Sequence, residues 1–455
     1  MAKTPLPVRT LKIFLLLLDA LGLWLIFNIV FGLRIGHPAP DLLLNFNMYV
    51  VMVVLLATIY VFDLYNPQSQ IAGLKAPGLF WIAMLVGGGL LAALAYLMAT
   101  PATMQYGRGV VAGALVGFAV YGSLSRLFLG YWVRSRGQQV RWLVVGDTRY
   151  IQLFKNDIDK NPVEGQFTWL SRPQTSGETP VTDGTWNDLA KKIREPWTGI
   201  VVACEERVPD TLLSAFVDAR IRGTRLYDLA DFYQQIWNKV PVFYLDQLWL
   251  ALTQGFSLLH NQMGLRIKRL GDLMGALILL PIALPVMAVA ALLILIESGL
   301  PVVFHQTRTG KDGRAFTLYK LRTMKKDAEK DGAQWAKKND SRITFFGRIF
   351  RKTRIDELPQ LFNVLKGEMS FIGPRPERPE FNKDLEKQIP HYNLRHVVRP
   401  GITGWAQVRY PYGASVEDAR EKLQYDLYYI KNYSLLMDIA IILKTTRLML
   451  FGRGR

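Results

Sequence analysis

Apolar residues are distributed unevenly along this 455-residue chain. Four stretches before about residue 133 run almost unbroken: roughly Leu11 to Leu33, Asn47 to Leu64, Leu79 to Met98, and Val110 to Trp132. Each approaches the length of a bilayer-crossing helix, which needs about 20 mostly apolar residues. Gly87, Gly88 and Gly89 would weaken a water-exposed helix, whereas in lipid they let helices approach closely. The first stretch lacks a convincing small-residue cleavage site and is followed by further spans, so it reads as a retained helix.

The texture changes after residue 137 to short apolar runs alternating with polar-faced segments. RWLVVGD at 141 to 147, GIVVAC at 199 to 204 and TRLYDL at 224 to 229 read as strands, and Thr211 to Arg220 carries a helical pattern. Such alternation predicts a Rossmann-like parallel sheet over residues 138–257. Gly146 is followed by Asp147, Thr148 and Arg149, so the GxGxxG turn that brings backbone close to a pyrophosphate is absent. A scaffold, regulatory or oligomerisation role fits this region better than cofactor binding.

A fifth apolar run, Leu270 to Ile296, is interrupted by Asp272 and carries Pro281 and Pro285 in its middle. Each proline lacks an amide hydrogen and crowds the preceding turn, so a bend is expected. Basic residues set the orientation. Lys3, Arg9 and Lys12 precede the first span, Lys75 lies between the second and third, and Arg134, Arg136 and Arg141 follow the fourth; Arg34 and Arg108 oppose. The majority puts the N-terminus and everything after the fourth span in the cytoplasm. A fifth crossing would export the remainder of the chain, whereas a re-entrant hairpin would return it to the cytoplasmic face. A fifth span with a proline kink is the alternative.

Half of the residues are hydrophobic and the net charge is +18. Arg308 to Arg354 holds fifteen Lys or Arg against five acids directly after an apolar segment. That placement favours a membrane surface and phosphate-bearing ligands over nucleic acid, with a solvated basic face as the plain alternative. Cys204 is the only cysteine, so no intramolecular disulfide forms and it reads as a small buried hydrophobe. His305, His391 and His396 lack zinc-site spacing.

Candidate chemistry lies beyond the fifth run. Asp356 and Glu357 are adjacent carboxylates, with Arg351, Lys352 and Arg354 before them and Leu358-Pro359 after. A carboxylate kept ionised by nearby cations can attack phosphorus, and its neighbour can hold magnesium, a hard ion that takes oxygen ligands. Two acids in the first turn of a helix, favoured by its dipole, explain the pair equally well. Arg375 and Arg378 lie on a stiff Pro-rich run where a guanidinium fork can grip a diphosphate, and Arg399 precedes another Pro-Gly turn. Trp405, Tyr425, Tyr428, Tyr429 and Tyr433 read as packing or interfacial anchors, and Leu435 to Leu450 as an amphipathic surface helix.

Several motifs occur in the order found in one family. They are Lys268-Arg269 with Asp272, the break at Pro285, VxFxQxRxG from Val302 to Gly310, YKLRTM from Tyr319 to Met324, DELPQL from Asp356 to Leu361, IGPRPE from Ile372 to Glu377 and PGITGWAQV from Pro400 to Val408. Residues from about Lys268 onward resemble the bacterial sugar transferases, the monotopic polyprenyl-phosphate glycosyl-1-phosphate transferases. The whole chain is similar to the large members, with four transmembrane helices over 1–137, a Rossmann-like cytoplasmic domain over 138–257, and a mainly helical catalytic domain over 258–455.

The resemblance implies that Asp356 is the nucleophile of a ping-pong reaction on a UDP-sugar, releasing UMP and passing a sugar-1-phosphate to undecaprenyl phosphate. It further implies that Glu357 is associated with Mg²⁺, that Pro285 breaks a re-entrant helix, and that Lys320, Arg322, Arg354, Arg375, Arg378 and Arg399 face substrate phosphates. A homodimer in the bacterial inner membrane, its catalytic part on the cytoplasmic face, is expected. UDP-glucose or UDP-galactose is the expected donor, in exopolysaccharide, capsule or O-antigen initiation. Leu284 replaces the serine common before the proline of smaller members, and Gly299-Leu300-Pro301-Val302 carries one inserted residue. Neither change touches the acid pair. The competing readings are a scaffold that has lost chemistry and a transporter with five spans.

Overall fold

The computed structural model describes residues 8–36, 46–65, 75–98, 107–135, 140–172, 182–204, 208–244, 253, 255–256, 262–326, 328, 340–410, 413 and 415–451. The orientation markers Lys3 and Arg136, and residues 329–339 of the basic run, lie outside them. The chain forms two compact units, the first being Met1–Arg141 with residues 164–166 and 196–198, the second the rest.

The first unit contains α1 (Val8–Ile35), α2 (Phe46–Val61), α3 (Lys75–Met98) and α4 (Gly107–Ser135). Phe27, Leu55, Phe80 and Phe118 are buried between them, while Leu17, Ile29, Val53, Leu85 and Phe128 face outward. Helices apolar on both faces suit lipid, and this is a membrane protein. α2 has only 16 residues and stops at Val61, short of the expected Leu64. Gly122 lies against the Phe80 ring, where a Cβ would come within 2.1 Å of it. The hydrophobic pattern gave no hint of the ion pair inside: Arg126 donates to both oxygens of Asp19 at 2.5 and 2.6 Å, with neither side chain exposed. Pairing neutralises two charges that would otherwise oppose burial.

The second unit begins with a sheet of five strands in the order β3-β2-β1-β4-β5. These are β1 (Arg141–Gly146), β2 (Gln166–Ser171), β3 (Gly184–Thr185), β4 (Gly199–Ala203) and β5 (Arg225–Asp228). The β2–β3, β1–β4 and β4–β5 pairings are parallel. Leu143, Val144, Ile200 and Val201 are wholly buried, as the continuous apolar runs require of central parallel strands. α5 (Thr148–Lys160) follows β1 and α6 (Asp210–Ile221) precedes β5. Cys204 falls just past β4, half-buried, with its thiol raised to about 12 by burial and the nearby Asp147 charge.

The 37-residue helix α7 (Gln262–Ser298) carries the fifth apolar run and continues through Pro281 and Pro285, so the helix is not interrupted where a break was expected at Pro285. One face, with Asp272, Ala276, Ala283, Met287, Ala290 and Ile294, is buried against other residues of the second unit. Near its start Lys268 pairs with Asp438 at 2.9 Å, and Arg269 donates to the carbonyls of Val364 and Leu365. Near its end the Glu297 carboxylate accepts from the Phe345 and Phe346 amides. Leu277, Ile278, Ile282, Val289, Leu292 and Ile296 project away from that contact and stay exposed.

Following α7 come β6 (Val303–Thr309) and β7 (Ala315–Leu321), an antiparallel hairpin pairing Phe304 with Lys320. Next are α8 (Phe345–Thr353), α9 (Gln360–Lys366), β8 (Ser370–Ile372), α10 (Pro379–Gln388), β9 (Gly401–Thr403), α11 (Trp405–Arg409), α12 (Val416–Lys431) and α13 (Leu435–Phe451). The tyrosines foreseen as packing residues separate: Tyr425 and Tyr429 are buried in the core of this region, with Tyr428 and Tyr433 partly buried against it. α13 buries Ile441 and exposes Leu435, Leu436, Ile439 and Ile442, the one-sided pattern expected of it.

Candidate active site

Asp356 and Glu357 precede α9 and fall in the first turn of a short 3₁₀ helix of their own. They lie on a separate 3₁₀ turn, Ile355–Glu357, entered through Arg354 in the left-handed conformation at φ 62° and followed by α9. α9 buries Leu361 and Val364 against Ala276, Ala283 and Met287 of α7, and this fixes the turn. Asn363, wholly buried, sends its amide to the Thr317 carbonyl at 2.7 Å and accepts from the Tyr319 amide at 3.2 Å. That bridge ties α9 to β7 and sets Lys320 beside the acids. Nothing in the sequence pattern singled out Asn363.

Three cations converge on one oxygen. Glu357 Oε1 lies 2.9 Å from Arg375 Nη2, 3.3 Å from Arg354 Nη1 and 3.4 Å from Lys320 Nζ. Burial alone would raise the Glu357 carboxyl, but Arg375, Lys320 and Arg354 outweigh it and hold the group well below the usual carboxylate range. Lys320 is pushed down to about 8 by burial, against the pull of Glu357. Glu357 raises Arg375 further above its already high value. Both acids are buried, Asp356 at 5% and Glu357 at 6% exposure, so their charges interact through a medium far less screening than water.

The backbone that presents Arg375 is clamped from two sides. Arg395 donates to the Arg375 carbonyl at 3.0 Å and pairs with Asp426 at 2.9 Å, and Arg308 donates to the Pro376 carbonyl at 3.0 Å. Upstream, Asp272 of α7 accepts from the Ser370 hydroxyl and the Phe371 amide, each at 3.0 Å. Glycines allow β8 and β9 to close on each other: a Cβ on Gly404 would come within 2.1 Å of the Gly373 carbonyl oxygen, and one on Gly401 within 2.1 Å of the Gly373 nitrogen. Arg395, Asp426 and Arg308 escaped the sequence reading as supports, because their partners are remote backbone carbonyls and charges.

These groups open into one cavity of about 1430 Å³. Lys320, Arg322, Arg354, Asp356, Glu357, Arg375 and Arg378 all line it. Arg322 also donates to the Ser298 hydroxyl at 2.7 Å, tying β7 to the end of α7. Arg399 is not among the lining residues; its Nε donates to the Gly367 carbonyl at 2.9 Å and holds the end of α9. Another wall is apolar, formed by Leu279, Ile282, Ala283 and Val286 of α7 together with Leu448 and Met449 of α13.

Two adjacent buried carboxylates at a cavity that can admit phosphate oxygens suit a hard divalent ion such as Mg²⁺, which takes one or two carboxylates and completes its shell with substrate and water. The three cations engage Glu357 Oε1 and leave Oε2 outside those contacts. Among the described residues no group of three or more His, Cys, Asp or Glu gathers as a closed metal cage.

Apolar helices, a mixed helix and sheet body, and a buried glutamate met by three cations define a membrane protein with a charged cavity. Residues 263–452 match the family described as bacterial sugar transferase. The chain is 33% identical over 356 residues to a UDP-glucose:undecaprenyl-phosphate glucose-1-phosphate transferase of Xanthomonas campestris pv. campestris, covering 73% of this chain and 71% of that one. It is 44% identical over 253 residues to a UDP-N-acetylgalactosamine-undecaprenyl-phosphate N-acetylgalactosaminephosphotransferase of Aeromonas hydrophila, covering 52% and 60%. A UDP-glucose:undecaprenyl-phosphate glucose-1-phosphate transferase of Escherichia coli (strain K12) is 40% identical over 181 residues, 39% of each chain. The chain belongs to the bacterial sugar transferase family.

Proposed function

We propose that the protein transfers a sugar-1-phosphate from a UDP-sugar to undecaprenyl phosphate. One observation carries this reading: the buried Asp356–Glu357 pair, its cations and an apolar helix wall share a single cavity. Diphosphate and isoprenoid, the two chemistries of such a reaction, find their complements there. The relatives named above act on UDP-sugars and undecaprenyl phosphate, which supports the same reaction class.

In the first step a carboxylate oxygen of Asp356 attacks the sugar-bearing phosphorus. The bond from that phosphorus to the bridging oxygen breaks, UMP leaves with the electron pair, and an acyl phosphate joins Asp356 to the sugar phosphate. In the second step a phosphate oxygen of undecaprenyl phosphate attacks the same phosphorus, the acyl–phosphate bond breaks, and the Asp356 carboxylate is restored. Lys320, Arg354 and Arg375 hold the phosphate charge, with Arg378 and Arg322 further along the wall. Glu357 would hold Mg²⁺, which would supply further neutralisation of the diphosphate.

The topology follows the same logic. α7 dips into the cytoplasmic leaflet and returns, with Pro285 as the locus of its bend, so that both ends meet the same cytoplasmic body. Contacts at Lys268, Arg269 and Glu297 support this, since all join α7 to that body. A transporter-like fifth span has no such reason for both ends to be engaged. The sheet region is proposed as a Rossmann-like cytoplasmic domain, and the protein as a homodimer of the inner membrane that initiates exopolysaccharide, capsule or O-antigen assembly. The donor is proposed to be a UDP-hexose, glucose or galactose; the Aeromonas relative, named for N-acetylgalactosamine, makes the N-acetylated sugar the second reading.

A donor screen tests the function. Purified protein, Mg²⁺, undecaprenyl phosphate and each UDP-sugar in turn are assayed for UMP release and lipid-linked product. Turnover with one donor or a small set is expected, and inactivity with every donor favours a scaffold.

A further inference from the structure

Lys239 lies in the segment that follows β5 and is wholly buried. Its Nζ is 2.7 Å from Glu421 Oε1 on α12. It also faces the rings of Trp237, Tyr233 and Tyr425, at 4.9, 5.4 and 6.0 Å from their centroids. A buried ammonium needs a counter-charge, and aromatic faces add to its attraction. The cage draws on two parts of the molecule. Tyr233 and Trp237 pack on Phe154 of α5, and Trp237 packs edge-on against Phe232, so they belong to the core beside the five-stranded sheet. Tyr425 and Glu421 belong to α12.

The backbone next to Lys239 is tied to the same side of the transferase region. Trp405 Nε1 donates to the Asn238 carbonyl at 2.9 Å and Arg409 to the Trp237 carbonyl at 3.1 Å. Tyr428 donates its hydroxyl to Asn238 Oδ1 at 3.1 Å, and the Val240 amide donates to the Gln424 carbonyl at 3.0 Å. Asn238 takes the left-handed conformation at φ 56°, where asparagine is among the better tolerated residues.

α11 and α12 also form a wall of the cavity, through Ala406, Gln407 and Val408 on one and Ala419 and Lys422 on the other. Glu421 and Lys422 are neighbours with separate tasks: the first reaches Lys239, and the second donates to the Gly413 carbonyl at 2.8 Å at the cavity wall. This wall sets the polar Gln407 and Lys422 among Ala406, Val408 and Ala419, and lies on different elements from the apolar wall of α7 and α13. Given the reading of the cavity as a UDP-sugar site, on which this step rests, the wall that carries Gln407 and Lys422 is the donor side.

We infer that Lys239 is a positioning residue: with its aromatic cage and Glu421 it locks the sheet module onto α11 and α12, and so sets the geometry of the donor wall. The module beside the sheet thereby acts on transfer without touching substrate.

The test uses the full-length protein and two readouts. Lys239→Met keeps length and removes charge. It is expected to raise the donor KM about tenfold, within the roughly 100-fold that a misplacement on the order of 1 Å can cost, with the undecaprenyl phosphate KM changed by less than about twofold. Amide hydrogen exchange over residues 405–410 is expected to quicken, which reads the lock without reference to activity. Glu421→Gln should show the same pair of effects. If Lys239→Met does not fold, Tyr428→Phe, which removes one hydroxyl, is read in its place and should raise the donor KM about two- to threefold. A folded variant with unchanged exchange over 405–410, or with kcat lowered and both KM values unchanged, overturns the inference. Should the wild-type protein turn over no UDP-sugar, the reading of the cavity fails, and the exchange measurement alone decides whether Lys239 locks these helices.

Discussion

Arg375 Nη2 meets Glu357 Oε1 at 2.9 Å, and the same carboxylate oxygen draws in Arg354 and Lys320. The glutamate thus organises the positive wall of the cavity as well as contributing charge to it. Glu357→Gln leaves three cations around a neutral amide. Breaking a buried pair costs about 3 kcal/mol or more of folding stability, and a shift of the three cations on the order of 1 Å should lower kcat/KM for the donor about 100-fold. Initial rates of UMP release over a range of donor concentrations give the value. A variant within about threefold of wild type would show that the three cations hold their places without this carboxylate.

Gly404 approaches the Gly373 backbone too closely for a side chain, a Cβ falling 2.1 Å from the carbonyl oxygen. Gly404→Ala must therefore separate β8 from β9, and with it the run that presents Arg375. Loss of monodisperse protein, or a stability loss of several kcal/mol, is the expected outcome for a backbone clash of this kind. Thermal unfolding of the purified variant in detergent provides the check. An unchanged midpoint would mean that the two segments can part without consequence.

His396 is held neutral inside the fold, burial and the adjacent Arg395 charge pulling its imidazole down to about 4 from the ordinary 6.5. Between those values the unfolded chain binds the proton and the folded one does not. The stability contributed by the neutral ring is therefore complete above pH about 6.5 and is lost as pH falls through about 4. The full effect is on the order of 3 kcal/mol. His396→Gln should flatten this part of the stability profile, measured as unfolding midpoints from pH 7.5 to 4.5 in comparison with wild type. Parallel profiles for the two proteins would contradict it.

Much of this architecture was legible because it rests on local pattern. The apolar runs foretold α1 to α4 within a few residues, and RWLVVG and GIVVA read correctly as central strands. Stiff or small residues marked the site: the Pro-rich run carries Arg375 and Arg378 to the cavity, and Gly373, Gly401 and Gly404 permit its closure. Long-range pairing was not legible. Asp19 with Arg126, Lys239 with Glu421, and Asn363 bridging α9 to β7 join positions far apart in sequence, and no periodicity announces them. Arg399 shows a second role that local pattern does not announce. A basic residue beside a Pro-Gly turn resembles a phosphate ligand locally, but its guanidinium donates to the Gly367 carbonyl.

The re-entrant course proposed for α7 has a direct consequence for accessibility. Met263 and Lys311 flank the helix, and both are exposed. In a Cys204→Ser background, Met263→Cys and Lys311→Cys should both react with a membrane-impermeant maleimide in inverted vesicles, and neither in right-side-out spheroplasts. Labelling from opposite faces would establish a fifth span.

The central claim is that Asp356 forms the bond to phosphorus. Intact-protein mass spectrometry of the purified enzyme mixed with its UDP-sugar, in the absence of undecaprenyl phosphate, measures this directly. Wild type should gain the mass of one phosphosugar and release one UMP, the adduct mapping to Asp356 and disappearing when undecaprenyl phosphate is added. Asp356→Asn should gain none. An adduct that forms at the wild-type rate in Asp356→Asn, or that maps to another residue, would contradict the account.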